Sequence, residues 1–452
     1  MNHRTDQIRG KRITVIGAGR SGVAAAKLLN RNGVVVFLSE EAPLKEKTKE
    51  AGILNERNIP AEFGGHSSRV FQADFFVISP GMDSSSPILQ EAREKKIQIF
   101  GELEVASWFC KAPIIAITGS NGKSTVTTLL GEIFHKAKKS CIVAGNIGQP
   151  FSDFVEDTMH DGVVVLEVSS FQLETIRYFH PKISVILNIT EDHLDRHGSM
   201  EHYGQIKSRI FENQTSEDTF IFNGRDLRTV DLSHHARCRK AVFGVDDRSM
   251  DCGFIRESVL ILRMDGKEEE IIPVQDMKII GDHNKDNVLA AALVARLVHV
   301  ERGVLQKVFN TFRGLPHRME FVREINGVKW VNDSKATNIF SVWYALGSYF
   351  DPIVLIAGGR DKHSDFNFLR KRIQEKTRGL VLIGESADKM EQALLGLKPI
   401  VKAKSLEEAV VKARDMARIG DVVLLSPACA SFDMFKDFED RGEQFKKYVN
   451  QL

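Results

Sequence analysis

A lysine and a serine directly follow a short glycine turn, a spacing that could bind nucleotide phosphates. After an apolar run ending at Ile117, the chain reads Thr118-Gly119-Ser120-Asn121-Gly122-Lys123-Ser124-Thr125, followed by a helical pattern. Glycines let backbone N–H groups converge on phosphate oxygens, while Lys123 can reach the β and γ phosphates and Ser124 can ligate Mg²⁺. Because Ile117 stands where a Walker A motif has its first glycine, we interpret the loop as a shortened variant.

Acidic and imidazole groups follow the next two strand-like runs of the same region. Glu167 comes directly after the run 163–166, and His193 lies in the turn Asn188-Ile189-Thr190-Glu191-Asp192-His193-Leu194-Asp195. A carboxylate at the end of such a strand can hold Mg²⁺ against the phosphates. The sequence therefore predicts that Glu167 and His193 lie at the reacting centre. Lys207, in a basic helical stretch, has the pattern of an ordinary surface lysine.

A second glycine turn, Gly17-Ala18-Gly19-Arg20-Ser21-Gly22, follows the first strand-like run and opens an alanine-rich helix. This GxGxxG pattern indicates a phosphate-bearing nucleotide, which could be NAD or the pyrophosphate of UDP. Ser39 and Glu40 follow the next strand-like run and could face a ribose or a base. An ATP-driven reaction on a nucleotide-linked substrate explains both glycine loops, whereas a dehydrogenase reaction would give Lys123 no function.

The elements that must position these residues are short apolar strands alternating with helical patterns, which is typical of parallel α/β domains. The pattern restarts twice within 452 residues, a length that favours two or three domains. We predict domains over 1–101, 102–314 and 315–452. Ligands of such sheets bind at the carboxyl ends of the strands, which is where the candidate residues lie.

Composition excludes several classes of function. Lys plus Arg number 62 against 60 for Asp plus Glu, and this formal charge of +2 gives no general reason to expect a nucleic acid partner. The chain begins with polar and charged residues, and no apolar run approaches the ~18 residues of a membrane span. The five scattered cysteines form no CxxC pair, so we expect free thiols and a cytoplasmic protein.

Taken together, the motifs closely resemble the Mur ligase family over nearly the whole chain. Besides the loop at Lys123, the resemblance rests on Gly145-Asn146-Ile147-Gly148, Glu167-Val168-Ser169-Ser170-Phe171-Gln172-Leu173, Gly281-Asp282-His283-Asn284 and Leu315-Pro316-His317-Arg318. Within the family, Asp333-Ser334-Lys335-Ala336-Thr337-Asn338 and Ser426-Pro427-Ala428-Cys429-Ala430-Ser431-Phe432-Asp433 resemble the branch that adds D-glutamate.

The resemblance implies an N-terminal Rossmann-like domain for UDP-N-acetylmuramoyl-L-alanine, a central P-loop ATPase domain with a mostly parallel sheet, and a C-terminal Rossmann-like domain for the amino acid. The implied UDP-sugar residues are Arg20, Ser21, Ser39, Ser79, Gly81, Asn146 and His193. The implied ATP residues are Gly119, Asn121, Gly122, Lys123, Ser124, Thr125, Asn287, Arg318 and Asp333. The implied D-glutamate residues are Thr337, Lys362, Ser431 and Phe438. Relatives often carry Asp where this chain has Glu40, so the resemblance does not fix the uracil contact there.

The family resemblance also implies chemistry that the spacing of the residues does not show. Lys123, Glu167, His193 and Lys207 are the implied catalytic residues, and two Mg²⁺ ions are implied at Ser124, Glu167, His193 and a CO₂-derived carbamate on Lys207. The implied reaction is ATP-dependent amide formation through an acyl phosphate, by a monomer that contacts no nucleic acid.

Four alternatives remain from the residues alone. These are a sibling ligase that adds a different amino acid, a folylpolyglutamate-type ligase, a nicotinamide-dependent oxidoreductase, and a nucleotide-binding regulator without catalysis. Amino-acid-dependent phosphate release from ATP would separate the ligases from the other two.

Overall fold

The computed structural model describes residues 3–83, 85–146, 149–192, 194–279, 281–361 and 364–452. Within this part of the chain, the strands form three separate sheets of five, nine and six strands. Helices follow most of the parallel strands, so the predicted three-part α/β architecture is confirmed. None of the helices in the described ranges is both long and apolar enough to cross a bilayer.

The first sheet is entirely parallel, with the strand order β3-β2-β1-β4-β5. Its strands are β1 (Arg12–Ile16), β2 (Val35–Glu40), β3 (Ala61–Phe63), β4 (Phe75–Ile78) and β5 (Gln98–Gly101). Its helices are α1 (His3–Ile8), α2 (Arg20–Arg31), α3 (Thr48–Glu56) and α4 (Pro87–Glu94), and α5 (Glu102–Ser107) follows β5 directly. The order reverses beside β1, so the Gly17 turn lies at the point where α/β sheets bind ligands.

The second sheet has the order β14-β13-β12-β11-β10-β9-β6-β8-β7. Its strands are β6 (Ile114–Thr118), β7 (Cys141–Gly145), β8 (Val163–Glu167), β9 (Ile183–Ile186), β10 (Thr219–Asn223), β11 (Arg239–Phe243), β12 (Asp251–Arg256), β13 (Val259–Met264) and β14 (Lys267–Pro273). Its helices are α6 (Lys123–Lys136), α7 (Ser170–Leu173), α8 (Leu194–His197), α9 (Met200–Ser208), α10 (Leu227–Ser233), α11 (Asp282–Leu297) and α12 (Arg302–Phe309). The sheet is parallel up to β12, and β12, β13 and β14 are antiparallel.

The third sheet has the order β15-β16-β20-β17-β18-β19, with only the β15–β16 pair antiparallel. Its strands are β15 (Glu320–Ile325), β16 (Val328–Asn332), β17 (Ile353–Gly358), β18 (Thr377–Ile383), β19 (Ile400–Lys402) and β20 (Val422–Leu425). Its helices are α13 (Ile339–Gly347), α14 (Arg370–Lys376), α15 (Ala387–Leu394), α16 (Leu406–Met416) and α17 (Phe438–Gln451).

Each sheet is buried on both faces, which explains why its parallel strands are continuous apolar runs. In the second sheet, Leu129 and Leu293 belong to the cluster on one face, and Phe179 and Tyr203 belong to the cluster on the other. Burial of both faces fixes the strand ends, so the polar residues that follow β6, β8 and β9 meet at one edge.

Direct contacts join the first two sheets. Lys27 on α2 lies 2.6 Å from the carboxylate of Asp153, and Arg31 lies 2.6 Å from Glu156. A guanidinium nitrogen of Arg196 donates to the carbonyl oxygen of Met82 at 3.0 Å. These contacts bring the end of β4 beside the segment that follows β9.

Candidate active site

The loop between β6 and α6 is shaped by two glycines in conformations that disfavour side chains. Gly119 has φ +148° and Gly122 has φ +89°. A Cβ atom on Gly122 would lie 2.3 Å from Oδ1 of Asn287, so the loop and the start of α11 approach too closely for any larger residue. Asn188 fixes the loop from the neighbouring strand, because its side chain accepts from Asn121 N–H at 2.8 Å and donates to Asn121 O at 3.0 Å.

Lys123 opens α6 and folds back over this loop. Its ammonium donates to the carbonyl oxygens of Gly119 and Ser120 at 2.8 and 2.9 Å. Removal from water lowers the pKa of Lys123, and the carboxylates of Glu167 and Asp192 oppose that shift. The charge is therefore held at the mouth of the loop, where a triphosphate would end.

Ser124 and Thr125 follow on the first turn of α6, and both are buried. The hydroxyl oxygen of Thr125 is buried without a hydrogen-bond partner in the described structure. A buried polar atom without a partner is costly, so it indicates a site that a ligand or an ion completes.

Glu167 ends β8 beside the phosphate loop, since Ile117 and Glu167 are paired in the parallel register of β6 and β8. Only 3% of Glu167 is exposed. Its Oε1 accepts from the side-chain amide of Asn146 at 3.0 Å, while its Oε2 is buried without a described partner. An unpaired carboxylate oxygen in that position fits a hard cation such as Mg²⁺. The described residues contain no group of three or more His, Cys, Asp or Glu side chains arranged for a metal.

Lys207 is not the surface lysine that the pattern predicted, because it is 1% exposed. Its ammonium donates to Gly119 O at 3.0 Å and contacts Thr118 Oγ1 at 3.4 Å. The side chain also lies 4.5 Å from the ring centre of Tyr203. The pKa of Lys207 lies well below its usual range, first because of burial and then because of the charge on Lys123. A buried amine of this kind is readily deprotonated and becomes nucleophilic.

A cavity of about 240 Å³ adjoins the phosphate loop and is lined by residues from the second and third sheets. Asn121, Gly122, Asn287, Arg318 and Asp333 all line it, so these five predicted ATP residues do come together. The hydroxyl of Ser341 on α13 donates to Oδ1 of Asn121 at 3.2 Å, linking the two parts across the cavity. His193 and Lys362 lie outside the described residues.

Asp333 is fully enclosed at the wall of this cavity. Burial raises the pKa of its carboxyl to about 6, and the nearby charge of Arg318 opposes the rise. Ser426 donates to Oδ2 at 2.8 Å, and the backbone N–H of Met319 donates to Oδ1 at 3.2 Å. These donors support the ionised carboxylate, which is the form that can accept hydrogen bonds from sugar hydroxyls.

The predicted UDP-sugar residues in the first domain surround the Gly17 turn. Ser79 reaches the turn, with its hydroxyl 3.5 Å from Gly17 O. The Ser39 hydroxyl lies at the end of β2, 2.7 Å from Glu62 Oε1 and 2.7 Å from His66 Nδ1. Glu40 accepts a hydrogen bond from Ala18 N–H. One backbone N–H of the turn is therefore already paired with a carboxylate, and this pairing does not distinguish one nucleotide from another.

Four other predicted UDP-sugar residues lie around the same end of the sheet or on the neighbouring one. Arg20 and Ser21 form the first turn of α2, where Arg20 is exposed and Ser21 is half-buried. Gly81 is exposed in the segment after β4. Asn146 follows β7 and connects this group to the phosphate site through its bond to Glu167.

The predicted D-glutamate residues lie on segments that follow β16 and β20. Thr337 is half-buried, Ser431 is 2% exposed, and Phe438 is the first residue of α17. The sequence reasoning gave Lys335 no role, although its ammonium lies 5.4 Å from the ring centre of Phe438. Burial lowers the pKa of Lys335, and Arg318 and Lys123 act on it in the same direction. Its place in the motif beside Asp333 was the available signal.

Comparison with known proteins matches the whole chain to one family. A profile of the MurD N-terminal domain matches residues 12–88, one of the Mur ligase middle domain matches 117–295, and one of the Mur ligase glutamate ligase domain matches 317–429. The UDP-N-acetylmuramoylalanine--D-glutamate ligase of Salinibacter ruber is 44% identical, covering 99% of each chain. The enzyme of the same name from Thermoanaerobacter sp. (strain X514) is 43% identical, again over 99% of each chain.

Solved structures support the same fold at much lower identity. A pseudomurein peptide ligase type C from Methanothermus fervidus superposes with a TM-score of 0.62 and 19% identity, covering 98% of this chain and 100% of that one. The UDP-N-acetylmuramate-alanine ligase MurC from Thermotoga maritima gives 0.59 and 20%, covering 98% and 99%.

Proposed function

The chain belongs to the Mur ligase family, and from that premise we propose that it joins D-glutamate to UDP-N-acetylmuramoyl-L-alanine at the expense of ATP. The reaction serves the synthesis of peptidoglycan precursors and releases ADP and phosphate. Full-length identity of 41–44% to enzymes with this name supports the substrate assignment. The observation that carries the chemistry is the pair of lysines that donate to Gly119 O. Both feel the charge of Glu167, whose Oε2 is buried without a described partner.

The reaction has two steps. An oxygen of the alanyl carboxylate attacks the γ phosphorus, an O–P bond forms, and ADP leaves as the β–γ bond breaks. The amine of D-glutamate then attacks the acyl carbon, a C–N bond forms, the nitrogen loses a proton, and phosphate leaves. Activation is needed because a free carboxylate has no good leaving group.

During the first step, residues of the chain hold the triphosphate in position and neutralise its charge. We assign the triphosphate to the loop Gly119, Asn121, Gly122, Lys123, Ser124 and Thr125, and the nucleoside to Asn287, Arg318 and Asp333. Lys123 would offset the negative charge that spreads over the transferring phosphoryl group. Mg²⁺ supplies further neutralisation of the phosphates when bound, and Ser124, Glu167 and His193 are the residues we assign to it.

We assign the remaining substrates to the other two domains. Arg20, Ser21, Ser79, Gly81, Asn146 and His193 are proposed to face the UDP-sugar, and Ser39 at the end of β2 is proposed to do the same. Thr337, Lys362, Ser431 and Phe438 are proposed to receive D-glutamate. The proposed domain limits are 1–101, 102–314 and 315–452. Each domain would bind one substrate, and closure of the three domains would exclude water from the reaction.

For Lys207 we propose a carbamate. Its depressed pKa favours the neutral amine, which attacks CO₂ to form an N–C bond and releases one proton to solvent. The product carries one negative charge where a cation stood, beside Lys123 and Glu167. It would complete a site for a second Mg²⁺, which the described acidic side chains alone do not form.

We further propose that the protein works in the cytoplasm as a monomer. ATP and a nucleotide-linked precursor as substrates support that compartment, and the free state of all five cysteines agrees with a reducing environment.

Phosphate release from ATP tests the assignment directly. Purified protein with Mg²⁺ and UDP-N-acetylmuramoyl-L-alanine is supplied in turn with D-glutamate, L-glutamate, L-lysine and meso-diaminopimelate. Of these four amino acids, we expect only D-glutamate to cause rapid phosphate release. Release with a different amino acid would assign the chain to a sibling ligase, and ATP left intact with all of them would contradict the proposal.

A further inference from the structure

Arg441 is a buried arginine at the meeting point of the segments that follow β16 and β20. It lies on α17, one turn after Phe438, and is 1% exposed. Its Nε donates to Ser334 Oγ at 2.9 Å and its Nη2 donates to Ser334 O at 2.8 Å. Both Nη atoms also lie within 3.3 Å of Cys429 O. One side chain thus ties α17 to two separate loops.

The hydrogen bonds of Arg441 continue through Ser334 to Phe438, the first residue of α17. The hydroxyl of Ser334, which accepts from Arg441, donates in turn to Phe438 O at 2.8 Å. The two loops are themselves joined, since Ala428 N–H donates to Ala336 O at 2.9 Å. Thr337 follows Ala336 in one loop, and Ser431 follows two residues after Cys429 in the other.

A third loop, the one that leads from β17 toward Lys362, packs on the same group. Arg360 and Ala430 exchange backbone hydrogen bonds at 2.9 and 3.0 Å. A Cβ atom on Gly359 would lie 2.3 Å from Ala430 O and 3.3 Å from Nη1 of Arg441. The arginine therefore contacts the segments that carry Thr337, Ser431 and Phe438, and it lies against the backbone at Gly359.

The charge of Arg441 is unusual for a residue whose task is only to hold the fold. Its described hydrogen bonds all run to neutral oxygens, and burying a cation among neutral acceptors costs free energy that an apolar side chain would not. Burial lowers its pKa to about 10, while the more distant carboxylates of Asp433 and Asp333 act in the opposite direction. At neutral pH the guanidinium is thus a buried positive charge in the wall behind these loops.

We propose that Arg441 is a positioning residue for the incoming amino acid, holding the three loops in the geometry that binds it and favouring a dicarboxylate by its charge. This inference rests on the proposed function, because it assigns the loops to D-glutamate. Arginine suits the role since its planar fork presents five donors in a fixed geometry and bonds two carbonyls and a hydroxyl from three nitrogens, whereas the three donors of a lysine lie on one nitrogen.

Steady-state kinetics of three variants test the proposal. Arg441→Met removes the charge and the fork, Arg441→Lys keeps the charge, and Ser334→Ala removes the hydroxyl that links Arg441 to Phe438 O. Arg414→Met is the control, because Arg414 is half-exposed on α16 and pairs with its neighbour Asp415. Each is assayed at pH 8, well above the pKa of about 6 that burial gives Asp333.

We expect Arg441→Met to raise KM for D-glutamate by about tenfold or more, the effect of losing one bond to a charged group. KM for ATP and for UDP-N-acetylmuramoyl-L-alanine should change by less than about twofold. Arg441→Lys and Ser334→Ala should show smaller rises in the same constant. If Arg441→Met does not fold, those two variants decide the matter.

Two results would overturn the inference alone. One is wild-type turnover together with an unchanged KM for D-glutamate in all the folded variants. The other is an equal loss of kcat/KM for all three substrates, in proportion to the folded fraction measured by circular dichroism. Such a result would mark Arg441 as a purely structural residue. Wild-type protein that never responds to D-glutamate would overturn the proposed function and this inference with it.

Discussion

Lys123 and Lys207 donate hydrogen bonds to the same acceptor, the carbonyl oxygen of Gly119, at 2.8 and 3.0 Å. Two ammonium groups so close repel each other, and each lowers the tendency of the other to stay protonated. Lys207 is the more buried of the two, so its pKa falls well below its usual range. The pair therefore separates into one lysine suited to neutralise phosphate and one suited to react as an amine.

Replacement of Lys207 by Ala should lower turnover by about 100-fold or more, the scale of losing a preorganised charged group at such a site. Short carboxylic acids such as acetate should partly restore it, because they supply the missing anion. Lys267→Ala, at an exposed hairpin lysine, is the control. Full activity in Lys207→Ala, or in wild-type protein after careful removal of CO₂, would count against the carbamate.

Replacement of Glu167 by Gln should raise the Mg²⁺ concentration needed for half-maximal activity. The change keeps the shape and the bond from Asn146 but removes the charge next to the unpaired Oε2. We expect a shift of at least ~10-fold, the lower range for disturbing an outer-shell metal partner. The exposed Glu324→Gln serves as control. Equal Mg²⁺ titration curves for both variants would remove Glu167 from the metal site.

Asp333 should give ATP binding a characteristic dependence on pH. Burial raises the pKa of its carboxyl from 3.8 to about 6, so the group is ionised above pH 6 and takes up a proton as the pH falls through that value. The protonated form loses an acceptor, so KM for ATP should rise below pH 6. Asp333→Asn should have a raised KM that lacks this inflection. ATP itself also titrates in this range, so the measurement is the difference in KM for ATP between the wild-type protein and Asp333→Asn as the pH changes. Parallel pH profiles of the two proteins would contradict a role of Asp333 in binding ATP.

Replacement of Gly122 by Ala should weaken ATP binding and destabilise the protein. The new Cβ would lie 2.3 Å from Oδ1 of Asn287, at a backbone φ of +89°. The left-handed conformation alone costs about 1 to 2 kcal/mol for a residue with a side chain. Gly303→Ala on α12 is the matched control, because nothing lies within 4 Å of its Cβ position. Equal KM for ATP in the two variants would show that the close approach to Asn287 has no part in binding.

Much of the fold could be predicted because parallel strands buried on both faces leave a simple pattern. The apolar runs ending near Ile117, Leu166 and Leu187 correspond to β6, β8 and β9, and their polar successors do meet at one edge. Ser39 and Glu40, which were expected to follow a strand, are instead the last two residues of β2.

What escaped prediction depends on contacts between residues far apart in the chain. Lys207 looked exposed because its own helix is polar, and its acceptor Gly119 is 88 positions away. The hairpins of β12, β13 and β14 extend the central sheet with buried residues such as Leu260 and Leu262, an addition that the alternation of parallel strands and helices does not predict. Arg441 gave no signal at all, since one arginine in an amphipathic helix resembles any surface arginine.

The central claim is that the alanyl carboxylate is phosphorylated by ATP before the amide forms. It can be tested with UDP-N-acetylmuramoyl-L-alanine carrying ¹⁸O in its alanyl carboxylate, with ATP, Mg²⁺ and D-glutamate, followed by mass analysis of the phosphate released. Collapse of an acyl phosphate predicts that each phosphate carries one oxygen from the carboxylate. Phosphate free of the label, formed together with the amide product, would contradict the mechanism.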